Sequence, residues 1–171
     1  MPWVLHDIDL GDDVLEVGPG PGLTTRIIRN RAERLTAIEI DEALADALRV
    51  QLAGTNVTVV HGDGARMPFN DRAFTGATCF TMLHHVPTAE LQDRLFAEVY
   101  RVLEPGATFA GSDSLDSLLF RIIHLRDTMV IVDPAGVSQR LTAVGFIEVA
   151  VSVGPGAFRF RCRKPQAGHA A

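Results

Sequence analysis

Asp13–Thr25 reads DVLEVGPGPGLTT, and its residue types suggest how a charged small molecule would be held. Glu16 lies inside an apolar run, where a carboxylate is costly to bury unless something pairs with it. Gly18, Gly20 and Gly22 then alternate with Pro19 and Pro21. Glycine permits positive φ and lets a ligand approach the backbone, while proline stiffens the turn. A loop of this kind opening a helix is expected to leave amides free for an anionic group. A ligand with both a positive charge and a carboxylate fits these residues. Glu39 follows about twenty residues after Gly18, the separation at which a carboxylate reaches ribose hydroxyls. Asp63 stands between Gly62 and Gly64. His84 and His85 form an adjacent pair that could move a proton near neutral pH, although capping or packing is the preferred reading. His124 is a weaker candidate, and no catalytic residue is assigned.

These residues have to be placed by regular elements, and the pattern supplies them. Val14–Val17 reads as a strand, followed by a helix from Thr24 to about Asn30 with Ile27 and Ile28 inward. Arg34–Glu39 is a second strand, and Asp41 a helix N-cap. The next helix carries a stripe of Leu44, Leu48 and Leu52 with Ala43 and Ala47 beside it, closed by Gly54. Asn56–Val60 and Ala77–Thr81 are further strands, separated by the loop GDGARMPF. Pro87–Thr88 starts a long helix with Leu91, Leu95, Val99 and Val102 on one face, stopped by Pro105–Gly106. Thr108–Ala110 begins the fifth strand, and residues 115–123 carry a helical pattern. Asp133–Pro134 opens a last helix that Gly145 ends, and two strands flank Gly154–Pro155–Gly156 as a hairpin. Strands alternating with helices predict a doubly wound, mainly parallel α/β sheet with helices on both faces. The hairpin adds an antiparallel strand. The acids above then stand at the carboxyl ends of the strands, where such sheets bind ligands.

Composition narrows the function classes. With 171 residues and 47% apolar content, one domain over residues 1–164 is expected, with residues 165–171 as a disordered tail. Net charge is −5, and the nearest approach to a basic block is Arg159–Arg161–Arg163–Lys164, so nucleic acid is disfavoured as a partner. No run is long and apolar enough for a membrane span, and the first dozen residues lack a secretory pattern, so a cytoplasmic location is expected. Cys79 and Cys162 read as packing residues in separate strands, and no metal spacing is present.

The motif EVGPGPG resembles the first motif of the class I S-adenosylmethionine-dependent methyltransferases, and the likeness continues along the chain. TAIEID and VVHGDGARMPF resemble their second and third motifs. FTGATCFTMLHHV and RVLEPGATFAGSD resemble the fourth-strand and fifth-strand regions of the small-molecule branch. The dinucleotide fingerprint fits less well, because its third glycine would fall on Leu23, which disfavours an NAD-dependent oxidoreductase. The resemblance implies a Rossmann-like seven-stranded sheet of order 3-2-1-4-5-7-6, with strand 7 antiparallel. It implies that Glu16 and the backbone of Gly18, Gly20 and Gly22 hold the methionine part of S-adenosylmethionine, and that Glu39 takes the ribose hydroxyls with Ile40 beside the adenine. Asp63 would accept from the adenine amino group near Gly64 and Ala65, and Thr81 and Leu83 would border the sulfonium. S-adenosylhomocysteine would be the product.

The first motif is also similar to that of the ribosomal-RNA adenine dimethyltransferases. Those enzymes carry Asn/Asp-(Pro/Leu)-Pro-Tyr after the fourth strand, whose aromatic ring stacks on a flipped base. Here that place reads Thr81-Met82-Leu83-His84, so a small or lipophilic acceptor is preferred. An RNA acceptor, or cofactor binding without catalysis, stands as the alternative. Only a dozen residues precede the first strand, fewer than family members usually have. Either the sequence is shortened at its start, or the site is more open than usual and a homodimer contact, a partner subunit or the 112–132 segment covers it.

Overall fold

The structure is a computed structural model that describes residues 8–115, 130 and 132–168. Seven strands form one sheet in the order β3-β2-β1-β4-β5-β7-β6. They are β1 (Asp13–Val17), β2 (Arg34–Glu39), β3 (Val57–His61), β4 (Phe74–Phe80), β5 (Leu103–Ser114), β6 (Ile147–Gly154) and β7 (Ala157–Arg163). Strands β1 to β5 pair in parallel, and β7 inserts antiparallel between β5 and β6. Among the described residues the α-helices are α1 (Thr25–Ile28), α2 (Glu42–Gln51), α3 (Ala89–Val102) and α4 (Pro134–Val144). This is the Rossmann-like methyltransferase order expected from the sequence.

Strand alternation explains how the acids are aimed. Successive side chains leave a strand on opposite faces. Leu15 and Val17 join the larger core, which includes Phe96, Phe109, Phe146, Phe158 and Phe160. Val14 and Leu35 join a smaller cluster with Ile28 of α1 and Phe80. Glu16 shares the face of Val14, and Glu39 shares that of Leu35. Both carboxylates therefore point to the α1 side, and the β1–β2 register, Glu16 opposite Ala37, agrees. Burying each large apolar side chain contributes about 1.5–3 kcal/mol, so moving either strand by one residue would invert both faces at great cost.

Several boundaries differ from expectation for local reasons. Helix α1 is a single turn, with Ile28 buried and Ile27 exposed. In α2 the buried face is Ala45, Leu48 and Leu52, whereas Leu44 is 38% exposed, so the expected leucine stripe is rotated. Asp41 caps that helix by accepting from Leu44 N–H at 3.0 Å. Strand β4 begins at Phe74 rather than Ala77, and Thr81 lies just past its end. Strand β5 begins at Leu103, directly after α3, with its register against β4 shifting between Phe74 and Gly76. Asp133 caps α4 and Gly145 ends it with φ of +114°, as expected. The helical pattern at 115–123, including His124 beyond it, lies outside the described residues apart from Leu115. Cys79 and Cys162 are buried and unpaired, and burial pushes both thiols up, in keeping with packing roles. Among the described residues no helix is long and apolar enough to cross a membrane, and no cluster of metal-ligating side chains occurs.

Candidate cofactor site

The rim of the site is built first by β1, β2 and the glycine loop between β1 and α1. Gly18, Gly20 and Gly22 all hold positive φ, at +65°, +53° and +80°. This left-handed backbone folds the loop down onto β2, where Gly18 N–H donates to Ile38 O at 2.9 Å. Gly20 N–H donates to Glu39 Oε2 at 2.9 Å, and Gly22 N–H to Pro19 O at 3.0 Å. The amides of these three glycines are thus engaged inside the protein. A Cβ on Gly20 would meet nothing within 4 Å, whereas one on Gly22 would come within 2.4 Å of the Leu48 side chain. Gly20 faces open space, and Gly22 is a packing position.

Glu16 and Glu39 lie beneath this loop, 1% and 5% exposed. Glu16 Oε1 accepts from the Thr24 hydroxyl, while its Oε2 has no hydrogen-bond partner in the protein. A buried carboxylate oxygen left in this way costs free energy until a donor or a cation reaches it. Burial pushes the Glu16 carboxyl above its ordinary value, against the Thr24 bond, and the nearby Glu39 adds to the rise. Glu39 is finished differently. Its two oxygens accept from Gly20 N–H and from Asp41 N–H at 3.1 Å, so it joins β2 to the loop and to the start of α2. Next to it Ile40 is 66% exposed, an apolar side chain left on the rim beyond β2.

Beyond β3, Asp63 is half-buried, and its Oδ1 accepts from Ala65 N–H at 2.8 Å in a side-chain turn. Gly62 N–H ties this loop back to Glu39 O at 2.9 Å. A Cβ on Gly64 would press on Val17 at 2.8 Å, so Gly64 lets the loop close over the end of β1. The β3, β2 and β1 ends thus form one continuous rim carrying Asp63, Glu39 and Glu16 in strand order.

On the other side of β1, the exit of β4 is strained. Thr81 is exposed with φ of +55°, an unusual conformation for a β-branched residue, and its N–H bonds Ser112 O at 2.7 Å. Met82 follows, with its Cβ, Cγ and Cε each 3.0 Å from where a Gly18 Cβ would sit. Leu83 is fully buried in the larger core, so the structure gives its side chain no free surface on the rim. Met82 has the place beside the glycine loop instead. Leu83–His85 forms a 3-10 turn, and His84 is 2% exposed. Its Nδ1 lies 2.5 Å from Asp113 Oδ1, and its N–H donates to Asp113 Oδ2 at 3.0 Å.

Asp113, Met82 and Thr24 are contributors that sequence reasoning missed. Asp113 sits at the end of a strand just as Glu16 and Glu39 do, so the same rule about acids at strand ends would have found it. Met82 carried no signal, because its position depends on the twist of one residue, Thr81.

The arrangement suits a ligand with a cationic end near Glu16, a body lying on the bare backbone at Gly20, and an apolar ring against Ile40. The ribosomal RNA small subunit methyltransferase A of Deinococcus radiodurans is 49% identical over 53 residues, covering 31% of this chain and 18% of that protein. The 24-methylenesterol C-methyltransferase 2 of Arabidopsis thaliana is 31% identical over 122 residues, covering 68% of this chain and 33% of that protein. The chain therefore spans only a third or less of the length of these two relatives. Among solved structures, phosphoethanolamine N-methyltransferase 2 of Haemonchus contortus, bound to phosphomonomethylethanolamine and S-adenosylhomocysteine, superposes with a TM-score of 0.78 at 15% identity. That match covers 95% of this chain and 51% of the other, and at such identity the likeness concerns the fold. The family model described as "Methyltransferase domain" matches residues 15–111, more than half of the chain. The chain belongs to the class I S-adenosylmethionine-dependent methyltransferases.

Proposed function

We propose that this chain binds S-adenosylmethionine along the β3–β2–β1–β4 rim and transfers its methyl group, by in-line displacement, to a small or lipophilic acceptor. The observation that carries the reading is the buried Glu16 carboxylate with one oxygen unpartnered, below the open backbone at Gly20. When bound, the cofactor supplies a methyl group on a sulfonium, whose leaving group is neutral and needs no proton. Glu16 would receive the ligand's ammonium, and Gly18 and Gly20 would give the surface on which the methionyl part lies, with Gly22 packing the loop onto α2. Glu39 retains acceptor capacity beyond its two backbone bonds for the ribose hydroxyls. Ile40 would cover the adenine, and Asp63, with Gly64 and Ala65, its amino edge. Thr81 and Met82 would border the sulfur. The contribution of these residues is alignment and exclusion of water, which is where the protein acts in such a transfer.

A small or lipophilic acceptor is supported by the β4 exit. Thr81, Met82 and Leu83 carry no aromatic ring on which a base could stack, and the His84 ring is buried. Ribosomal RNA small subunit methyltransferases match over 31% to 58% of this chain, and the sterol enzyme over 68%. A partner subunit or second copy that covers the rim completes this reading. Calorimetric titration with S-adenosylmethionine, S-adenosylhomocysteine and NAD tests the cofactor, and the first two alone are expected to bind. Transfer of a tritiated methyl group into a cell extract, fractionated into small molecules, lipid, protein and RNA, tests the acceptor. Label in RNA would favour the ribosomal-RNA-like alternative. Binding with no label in any fraction would reduce the chain to a cofactor-binding protein.

A further inference from the structure

We infer that His84 is a positioning residue rather than the general base that its place after β4 suggests, and that Asp113 is its partner in that role. The inference rests on the reading of the rim as a cofactor site. One carboxylate grips both the backbone and the side chain of the same residue. Asp113 Oδ2 takes His84 N–H, and Asp113 Oδ1 takes His84 Nδ1 together with Ser114 N–H at 2.6 Å. Asp113 is 1% exposed, so these three donors compensate a charge that has lost its water. A carboxylate only accepts, so the geometry assigns the proton of the neutral imidazole to Nδ1.

The grip does not end at His84. Leu83 O accepts from Nε2 of buried Gln92 at 2.9 Å, and Gln92 Oε1 accepts from Arg140 of α4 at 2.8 Å. His84 O accepts from Val130 N–H at 2.9 Å. The 3-10 turn is thereby fixed to β5, α3, α4 and the chain at Val130. Directly before it stands Met82, pressed against Gly18, after Thr81 in its strained conformation. A continuous series of contacts runs from Asp113 through the turn to Met82 and the glycine loop. Its effect is to hold the β4 wall of the site at a set distance from the loop. An imidazole held by Asp113 at Nδ1 and 2% exposed offers little surface to an acceptor.

Substitution by asparagine separates the two roles, because its side-chain amide can donate to Asp113 from about the place of Nδ1–H but cannot take up a proton. Full-length wild type, His84→Asn and His84→Leu are compared by calorimetry with S-adenosylhomocysteine and by tritiated methyl transfer into the accepting extract fraction across pH. His84→Leu is expected to lose on the order of tenfold or more in affinity, as for a lost hydrogen bond to a charged group. His84→Asn is expected to restore binding to within about threefold and to transfer methyl groups with an unaltered pH profile. The nitrogen-15 shifts of His84 in the wild type are expected to report the Nδ1–H tautomer. His84→Asn that binds normally yet has lost transfer, or shows a displaced pH profile, would assign proton chemistry to His84 and overturn the inference. Wild-type affinity in His84→Leu would overturn it too. If His84→Leu does not fold, Asp113→Asn serves instead, since it turns an amide against one of the three donors, and undiminished affinity there is equally fatal. Wild type that binds no S-adenosylhomocysteine refutes the rim reading itself. A defect in the variants against a binding wild type concerns the pair alone.

Discussion

Glu16 and Asp113 are two carboxylates at the same edge of the same sheet, each 1% exposed, yet their surroundings are completed in opposite ways. Asp113 has both oxygens occupied by three donors from the protein. Glu16 accepts from the Thr24 hydroxyl and keeps a second oxygen without a hydrogen-bond partner, with the Thr25 hydroxyl also acting on the carboxyl. A satisfied buried acid stabilises a joint, whereas an unsatisfied one lowers stability for the sake of what binds there. On the proposed reading, the β4–β5 half of the edge is mainly frame, and the β1–β2 half is receptor.

The sharpest way to break that division is to fill the receptor half without disturbing its packing. Gly20→Ala places a Cβ where nothing lies within 4 Å, so its folding cost is limited to left-handed strain of about 1–2 kcal/mol. S-adenosylhomocysteine affinity is nevertheless expected to fall on the order of 100-fold, read by calorimetry against a thermal melt. Loss of stability with affinity intact would return Gly20 to a structural role. Next in size is Glu39→Ala, which removes the acceptor for Gly20 and Asp41 N–H along with the proposed ribose contact. An affinity loss of about tenfold or more is expected, and unchanged affinity removes the ribose assignment.

Glu16→Gln sharpens the contrast from the other side. Binding is expected to weaken by about tenfold, while the melting temperature at neutral pH holds or rises because a poorly compensated charge is gone. The pH dependence follows from the sign of the shift. Burial raises the folded carboxyl above its ordinary value of 4.5, so the folded state takes up the proton first. Glu16 therefore costs stability above its folded value, and that cost is relieved as pH falls toward 4.5. Ligand affinity should run the opposite way, falling as Glu16 is protonated, and Glu16→Gln should flatten both curves. The smallest effect belongs to Thr81→Gly, which relieves positive φ at the β4 exit and is expected to raise stability by about 1 kcal/mol or less in chemical denaturation.

Much of this was legible in the chain because period and punctuation agree. Strand β2, the caps at Asp41, Thr88 and Asp133, and the β6–β7 hairpin all follow local rules, and the sheet order follows from the family resemblance. The rotated face of α2 was not legible, because Leu44 and Ala45 are one helical step apart and only the packing against β2 and β3 chooses between them. The extent of β5 was hidden by Pro105–Gly106, which read as a break but lie inside the strand. At the site, acids beside glycines were conspicuous in the sequence. Who bonds to whom was not, so the engagement of the Gly18 and Gly20 amides and the pairing of His84 with Asp113 emerged only in three dimensions.

Glu39 has a consequence of its own. Because a single side chain anchors the turn above it and the N-cap of α2, whatever grasps its remaining lone pairs also pulls on those two neighbours. Sugar recognition and loop stiffness are then one property, and neither can be adjusted through this residue while the other stays put.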